Sequence, residues 1–292
     1  LDEKSPSWTI EVGMEKGFFQ SEGLVVEMVL TQDFASQIEG LIQGDFEVGH
    51  QATVQLVTEI EQGAPLFMFM GDRRGPIFTL VAASAIRFLE ALRGTRLGSS
   101  GVTGTDHLPL IKMLAERGLS PEDYTIVPSG NVLYRYHLLQ RGGIAATLLS
   151  GDMVLDAEND GLTNLGAVDP YLGEFSFSAA AARRDWADQH PGLLRAYIRA
   201  YLRSVRWLLD PSNREQATNI MQTKARLDPE AAVRIYEGAI ERLLPDAELT
   251  VAGIRSVVDV MVLAGLIEPG AHPPQKYVDL TFLTSVRNRL EN

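Results

Sequence analysis

The 292 residues carry a formal net charge of -12, and with 45% hydrophobic and 22% charged residues they can bury one large core or two ordinary ones. The negative charge and the scattered 26 Lys and Arg residues argue against nucleic acid and anionic membranes as partners. The absence of cysteine excludes disulfides, a cysteine nucleophile and thiolate metal sites.

Short β-rich runs that end in Gly, Ser or Asp alternate with helical patterns as far as Arg183, which is typical of βα units. The predicted strands are Val25–Leu30, Phe46–Gly49, Leu66–Met70, Phe78–Ala83, Arg96–Ser99, Thr125–Pro128, Ile144–Leu149, Leu165–Val168 and Phe175–Ala180. The predicted helices among them are Ala35–Gln43, Ala52–Gln62, Asp106–Arg117, Val132–Gln140 and Met153–Asp160. Beyond Pro191 the sequence is almost entirely helical, with predicted helices at Gly192–Leu209, Arg214–Lys224, Pro229–Leu243 and Val251–Ala264.

This order of elements predicts two α/β lobes. We expect residues 1–83 and 180–292 to form a first, discontinuous lobe that includes the helical tail, and residues 84–179 to form the second. The chain would then cross between the lobes at Ala82–Ser84 and again at Ser178–Ala180. The predicted fold class is therefore α/β, with two lobes joined by two crossovers.

Three strand-to-helix turns in the second lobe are candidate ligand contacts: Ser99–Thr105, Ser129–Asn131 and Ser150–Asp152. Open α/β sheets bind ligands at the carboxyl ends of their strands, where glycines let the backbone approach and helix-start amides favour an anion or a carbonyl group. The alternative is that these residues only make tight turns and cap the following helices. The candidate binding residues are Ser99, Ser100, Thr103, Thr105, Ser129, Asn131, Ser150 and Asp152.

The first lobe also offers polar residues after its predicted strands, at Gln32-Asp33-Phe34, His50-Gln51 and Asp72-Arg73-Arg74. Arg73 or Arg74 could form a forked pair with a ligand carboxylate or sulfonate. The alternative for both is a solvated surface arginine. Aromatic side chains that could line a pocket, or equally belong to a core, are Trp8, Phe34, Tyr171 and Phe175.

Catalysis would need a nucleophile with a base, paired carboxylates or metal-ligand spacing, and the sequence shows none of these patterns. No two of the five histidines are three or four residues apart, and no His-Glu-x-x-His or Gly-x-Ser-x-Gly run occurs. His50 and His107 lie on candidate ligand turns, but a lone histidine at a helix start is more often structural. We therefore expect no catalytic residue, no metal and no cofactor.

A further set of motifs is spread along most of the chain. They are Glu15-Lys16-Gly17-Phe18-Phe19, Glu22-Gly23-Leu24-Val25-Val26-Glu27, Leu41-Ile42-Gln43-Gly44-Asp45-Phe46, Leu92–Gly98, Arg117–Asp123, Leu138–Ala146, Asp210–Glu215 and Tyr277-Val278-Asp279. Taken in order, they resemble the motifs of solute-binding proteins that serve ABC importers of nitrate, taurine, alkanesulfonates and thiamine-precursor pyrimidines.

That resemblance implies a type 2 periplasmic-binding-protein fold, a periplasmic or extracytoplasmic location, and a small-molecule ligand in the cleft between the lobes. It implies the transmembrane subunits of an ABC importer as partners, no nucleic acid, and a monomer. It places ligand contacts at Trp8, Phe34, Gln51 and Arg73 in the first lobe and at the three turns in the second. We expect an anionic, carbonyl-rich, aromatic or heterocyclic ligand, held without chemical change while the lobes close around it.

Two departures from the family are visible. The strand that normally precedes the segment matching Ser5–Trp8 is missing, which we expect to reflect truncation or a late start of the numbering. Ala145 stands where relatives often carry an aspartate. Asp152 at the third turn leaves open a ligand with an amine or amidine instead of an anion.

Two features of the sequence bear on membrane insertion and export. The longest apolar runs, such as Val262–Ile267, are far shorter than the roughly 20 residues of a membrane span. The opening Leu1-Asp2-Glu3-Lys4 does not resemble a signal peptide, so we expect an exported protein to have lost its leader.

The alternatives to a solute-binding protein are an enzyme on the same fold, similar to a menaquinone-pathway lyase or a pyrimidine synthase, and a sensory binding module.

Overall fold

A computed structural model describes residues 7–31, 34–75, 78–102 and 104–290, without the side chains of Ser7, Asp152, Ala225 and Leu290. The chain divides into two compact units. Unit 1 comprises Leu1–Arg74, Ser176–Val251 and Pro273–Asn292, and unit 2 comprises Gly75–Phe175 and Ala252–His272. These bounds differ from the predicted lobes, because residues 75–83, 176–179 and 252–272 each lie on the other side of the division.

The elements follow in chain order. The strands are β1 (Val48–Ala52), β2 (Leu66–Gly71), β3 (Thr79–Ala82), β4 (Arg96–Ser99), β5 (Thr125–Pro128), β6 (Ala146–Leu149), β7 (Thr163–Ala167) and β8 (Ser178–Arg183). The helices are α1 (Ser7–Glu15), α2 (Phe18–Ser21), α3 (Phe34–Gln43), α4 (Thr53–Glu61), α5 (His107–Ala115), α6 (Val132–Gln140), α7 (Asp152–Asn159), α8 (Asp169–Leu172), α9 (Arg184–Gln189), α10 (Pro191–Leu209), α11 (Arg214–Ala225), α12 (Pro229–Ile240), α13 (Val251–Leu263) and α14 (Thr281–Leu290). Among the described residues, no helix is both long and apolar enough to cross a bilayer.

Unit 1 is built on a three-stranded antiparallel sheet in the order β1-β8-β2. The central strand β8 is a run of alanines, and Ala179–Ala182 are fully buried. Every residue of β2 is also buried, so its sequence Leu-Phe-Met-Phe-Met-Gly is a continuous apolar run without polar alternation. The small side chains of β8 therefore lie beside the large buried ones of β2 in this sheet.

Helix α10 supplies much of the core of unit 1. Its buried residues Leu194, Ile198, Tyr201, Val205 and Leu208 recur every three or four positions, which puts them on one face of the helix. That helix packs against α1, α2 and α14. Burying each large apolar side chain contributes about 1.5–3 kcal/mol, so this stripe holds the helical part of unit 1 to its sheet.

Unit 2 contains a five-stranded sheet in the order β5-β4-β6-β3-β7. Strands β5, β4 and β6 are mutually parallel, while β3 runs antiparallel to both β6 and β7. The carboxyl ends of the three parallel strands therefore meet at one edge of the sheet. The turns that follow Ser99, Pro128 and Leu149 are brought together there.

The predicted strand at Val25–Leu30 is wrong. The segment has no assigned secondary structure and joins no ladder, and among the described residues no strand pairs with it. Val26 packs partly against the core of unit 1, whereas Val25 is 100% exposed. Its β-branched sequence has a strand's preference for extended backbone but lacks a pairing partner.

Other predicted strands are shifted in sequence. Phe46 belongs to the turn before β1, because its ring lies against Gly40 of α3. The predicted strand Phe175–Ala180 corresponds to β8, which begins three residues later at Ser178. The predicted bounds at Arg96–Ser99, Thr125–Pro128 and Val132–Gln140 agree with the structure.

Gly71 at the end of β2 provides a test of this packing. A Cβ at Gly71 would lie 2.3 Å from the carbonyl oxygen of Glu248 and 2.9 Å from Leu244 Cδ1. We expect Gly71→Ala to lower the free energy of unfolding of unit 1 by about 1–3 kcal/mol. The control Gly192→Ala, where a methyl group meets nothing within 4 Å, should be neutral or stabilise α10 by up to about 1 kcal/mol. Urea unfolding followed by circular dichroism measures both, and equal stabilities of the two variants would contradict this packing.

Candidate functional site

The first turn of unit 2 is held by bonds within itself. Ser99 is fully buried, its hydroxyl donates to the carbonyl of Gly101 at 3.3 Å, and its Oγ lies 3.3 Å from His107 Nδ1. The amide of Gly104 donates to the same Gly101 carbonyl at 2.9 Å. The hydroxyl of Ser99 therefore shapes the turn and joins it to the start of α5.

A buried ion pair connects this turn with its neighbours. Asp106 Oδ2 accepts the backbone amide of Ser100 at 3.0 Å and lies 3.3 Å from Arg135 Nη2. The Ser100 hydroxyl donates to the other carboxylate oxygen. Both charged side chains are 4% or less exposed. Burial lowers the pKa of the Arg135 guanidinium and Asp106 opposes that shift, but an arginine stays charged at neutral pH.

Arg135 connects the first two candidate turns with strand β6. Besides Asp106, its Nη1 donates to the carbonyl of Gly130 at 2.5 Å and its Nε donates to Thr147 Oγ1 at 3.0 Å. Thr147 in turn donates to the carbonyl of Gly98 at 3.0 Å. One guanidinium thus joins the carboxyl ends of β4, β5 and β6.

The predicted binding residues of unit 2 divide into two groups. Ser99 and Ser129 are buried, and Ser129 donates to the carbonyl of Val127 at 2.8 Å, so both hydroxyls serve their own turns. Ser100, Thr105 and Asn131 are exposed, and Ser150 is half-buried. Thr103 and the side chain of Asp152 lie outside the described residues.

Asn131 caps the start of α6, which was the alternative to a role in ligand binding. Its side-chain oxygen accepts the backbone amide of Tyr134 at 2.9 Å, and its backbone is extended, as a residue before a helix should be. The side chain is nevertheless exposed, so its amide group keeps donors that face solvent.

Sequence reasoning missed a group of apolar side chains at the same edge. Val102, Leu133, Tyr134 and Leu155 are between 51% and 60% exposed, and they lie in the first turn after β4 and in the opening turns of α6 and α7. Val102 lies within the first candidate turn and the other three lie two or three residues beyond the second and third turns, which is a signal that the sequence contains. Polar and apolar groups are therefore presented together at this edge.

In unit 1, a buried carboxylate follows β2. Asp72 lies 3.1 Å from His50 Nδ1 and accepts hydrogen bonds from the hydroxyls of Tyr201 at 2.8 Å and Ser178 at 3.4 Å. His50 Nε2 is in turn 2.8 Å from the Tyr197 hydroxyl. Burial alone would raise the pKa of the Asp72 carboxyl, but His50, together with Arg73 and Tyr201, lowers it below its ordinary value.

These groups have the chemistry of a proton relay, and they are deeply buried. Asp72 is 2% exposed and Tyr201 is fully buried. Burial raises the pKa of the Tyr201 hydroxyl well above its ordinary value, and the facing carboxylate adds to that shift. The cluster therefore fixes the end of β2 against α10.

The predicted contacts of unit 1 form two neighbouring pairs. Gln51 is buried, and its Nε2 lies 3.5 Å from the carbonyl of Phe34, a residue that is 61% exposed. Trp8 is buried on α1 and lines, with Arg73, a cavity of about 40 Å³. Arg74 is exposed and does not line this cavity, so the geometry favours Arg73 of the two candidate arginines.

The remaining aromatic candidates lie in unit 2. Tyr171 accepts a hydrogen bond from Arg117 Nη2 at 2.8 Å, and the same guanidinium lies 5.4 Å from the centre of its ring. Phe175 is half-buried at the end of the first segment of unit 2.

Among the residues with described side chains, no group of three or more His, Asp and Glu is arranged to hold a metal ion.

His107 couples the first turn of unit 2 to pH. Burial lowers the pKa of its imidazole, and Asp106 only partly opposes this. Because the unfolded chain takes up the proton near pH 6.5, the stabilisation is complete above that value and is lost as the pH falls through the lower folded-state pKa.

We therefore expect the melting temperature of wild-type protein to fall between about pH 7 and pH 5, and His107→Gln to remove part of that fall. The control His137→Gln replaces an exposed histidine of α6 and should keep the wild-type slope. Calorimetric melting at several pH values measures both, and an unchanged slope in His107→Gln would show that this imidazole titrates normally.

The fold is shared with solved binding proteins. The periplasmic sulfonate-binding protein SsuA of a sulfonate ABC transporter from Methylobacillus flagellatus KT superposes with a TM-score of 0.77 at 18% identity, over 98% of this chain and 89% of that chain. The periplasmic nitrate-binding protein NrtA from Synechocystis PCC 6803 gives 0.73 at 13% identity, over 98% and 86%. The periplasmic aliphatic sulphonate-binding protein SsuA from Escherichia coli gives 0.68 at 16% identity, over 94% and 89%.

These likenesses confirm the predicted periplasmic-binding-protein fold. The sequence itself matches a protein family over residues 8–214, which include both pairs of predicted contacts in unit 1 and the three turns of unit 2. The family is described as NMT1/THI5 like. The chain therefore belongs to the NMT1/THI5-like family.

Proposed function

We propose that this chain is an extracytoplasmic solute-binding protein that captures a small organic ligand and delivers it to an ABC importer. The observation that carries the proposal is the edge of unit 2, where a buried Arg135 joins the turns after β4 and β5 to the end of strand β6. Family membership and the fold shared with periplasmic binding proteins support it. The partners would be the transmembrane subunits of the importer, and the protein would act as a monomer.

The proposed ligand contacts follow from exposure. In unit 2, Ser100, Thr105 and Asn131 have exposed polar groups, and Ser150 is half-buried. Ser99 and Ser129 would act by positioning these neighbours. Thr103 and Asp152 remain predictions from the sequence.

In unit 1 the proposed contacts are Trp8, Phe34, Gln51 and Arg73. Phe34 offers an exposed ring and Arg73 a cation, while the buried Gln51 and Trp8 lie behind them. A ligand that binds residues of both units favours whichever arrangement of the units satisfies both sets at once. The free energy of ligand binding then includes the free energy of the change between arrangements.

The proposed ligand is a small anionic, aromatic or heterocyclic solute. Arg73 suits a carboxylate or sulfonate, and the exposed apolar side chains at the edge of unit 2 suit a hydrocarbon or ring portion. The solved relatives are described as binding sulfonate and nitrate. Holding such a solute needs no proton transfer and no nucleophile, which distinguishes this proposal from an enzyme related to a lyase or a pyrimidine synthase.

A thermal-shift panel of alkanesulfonates, nitrate, aminopyrimidines and aromatic acids tests the proposal. We expect one class to raise the melting temperature by several degrees, because a ligand at about 100 times its Kd adds about 2.7 kcal/mol to stability. Calorimetry should then give one site per chain.

The bound compound should be recovered chemically unchanged after prolonged incubation, as followed by mass spectrometry. Conversion of the compound by the protein, in proportion to protein concentration, would contradict a binding role and favour the enzyme. The absence of any stabilising compound in the panel would contradict this choice of ligand classes.

A further inference from the structure

Three glutamines lie on consecutive elements of unit 1: Gln37 on α3, Gln51 on β1 and Gln55 in the first turn of α4. The side-chain oxygens of Gln37 and Gln55 are both buried, and neither has a hydrogen-bond partner among the described residues. Gln55 as a whole is only 9% exposed. Native structures satisfy most buried polar atoms, so two unpaired oxygens on neighbouring elements need an explanation.

The contact between α3 and β1 contains Gln37 and Gln51. Side chains alternate between the two faces of a strand, so Gly49 and Gln51 share the face opposite to His50, which contacts α10. Gln37 Oε1 would lie 3.5 Å from a Cβ at Gly49. Gln51 Nε2 lies 3.5 Å from the carbonyl of Phe34, one helical turn before Gln37. The two carboxamides therefore border the same contact.

The hydrogen bonds of Gln51 itself are long. Its Nε2 reaches the carbonyl of Phe34 at 3.5 Å, and its Oε1 accepts the backbone amide of Ala52 at 3.3 Å. Hydrogen bonds between N–H and oxygen in proteins are most often about 2.9–3.0 Å long. The side chain of Gln51 can therefore form a better bond with a ligand group than with its present partners.

Helix α4 adds backbone donors next to these side chains. It begins directly after β1 and contacts that strand. Its N-cap is Ala52, which cannot cap with a side chain, and the amide of Thr53 donates to the carbonyl of Phe177. The amides of Val54 and Gln55 belong to the first turn and have no carbonyl to bind within the helix. Backbone donors and the unpaired oxygen of Gln55 thus occur in one helical turn.

A set of carboxamides recognises a ligand by hydrogen bonding alone, because the carboxamide group carries no charge. Each glutamine offers an oxygen that accepts and an NH2 group that donates. A ligand carboxamide offers the same two groups side by side, so it can pair with a glutamine in either orientation of that side chain. A carboxylate offers acceptors only and would leave the unpaired oxygens without a donor.

We propose that unit 1 binds a carboxamide group of the ligand, with Gln37 and Gln55 as specificity-determining residues beside Gln51. The inference rests on the proposed function and deepens it by naming the polar group that an aromatic or heterocyclic solute presents to unit 1. The unpaired oxygens then lower the stability of the free protein and are satisfied when the ligand binds.

Melting of the ligand-free protein gives the first readout. Gln55→Met keeps the length of the side chain and removes the unpaired carboxamide, so we expect it to raise the melting temperature by about 2 °C or more. A glutamine that serves only the fold would give a lower melting temperature on the same substitution. The matched control Gln62→Met replaces an exposed glutamine at the other end of α4 and should shift the melting temperature by less than about 1 °C.

Calorimetric titration gives the second readout, with benzamide and nicotinamide as probes and with benzoate and nicotinate as acids of the same shape. We expect wild-type protein to bind at least one amide about tenfold or more tightly than the matched acid. Gln55→Met should weaken binding of that amide by about tenfold or more and Gln37→Met by about threefold or more. Gln62→Met should keep the affinity within about twofold.

The outcomes separate this inference from the proposed function. If the acids bind and the amides do not, the carboxamide proposal is overturned while solute binding stands. If an amide binds through Gln55 and is hydrolysed by water to the acid and ammonia in proportion to protein concentration, the carboxamide proposal stands and the proposed function fails.

Three further results overturn the carboxamide proposal directly. They are failure of both amides to bind the wild type, a lower melting temperature of Gln55→Met, and an amide affinity of Gln55→Met within about twofold of wild type. If Gln55→Met does not fold, as judged by circular dichroism, Gln37→Met is measured in its place. An unchanged amide affinity of Gln37→Met then counts against the proposal.

Discussion

The guanidinium of Arg135 is the interaction on which the candidate site of unit 2 depends. Burying a charge is costly, and the cost is recovered only when the group is paired and hydrogen-bonded. Here the partners are the carboxylate of Asp106, the carbonyl of Gly130 and the hydroxyl of Thr147. Removing one partner of such a pair typically costs about 3–5 kcal/mol, so the geometry of the first two turns beside strand β6 is strongly determined. Side chains that such turns present to a ligand are held in place before the ligand arrives.

Unit 1 also contains a buried charge that is held by several partners, and there the charge is negative. The buried carboxylate of Asp72 is held by His50, Tyr201 and Ser178, which belong to β1, α10 and β8. This fixes the end of β2 and, with it, the position of Arg73. In both units a buried charge stabilises the turn that follows a strand, and the residues proposed to meet the ligand lie beside that charge. Such networks rigidify a site because each member loses its partners if the turn moves.

The sequence predicted local features well where short-range patterns determine them. The strands Arg96–Ser99 and Thr125–Pro128 and the helix Val132–Gln140 have apolar periods and turn residues that settle their bounds. Val25–Leu30 was wrong because a strand needs a partner as well as a preference for extended backbone. Asp106 and Arg135 were not predicted, since a buried ion pair between residues far apart in sequence leaves no periodic signal. Ser99 and Ser129 were placed at the correct turns, but their inward orientation depends on bonds that only the folded chain reveals.

We propose that one small ligand is contacted by residues of both units. Hydrogen–deuterium exchange with and without the ligand found in the panel measures this most directly, because bound segments open less often. We expect slower exchange in peptides covering residues 99–106 and 129–135 of unit 2 and in peptides covering residues 71–74 of unit 1, all at the same ligand concentration. Protection confined to one unit, with the other exchanging as in the free protein, would contradict it.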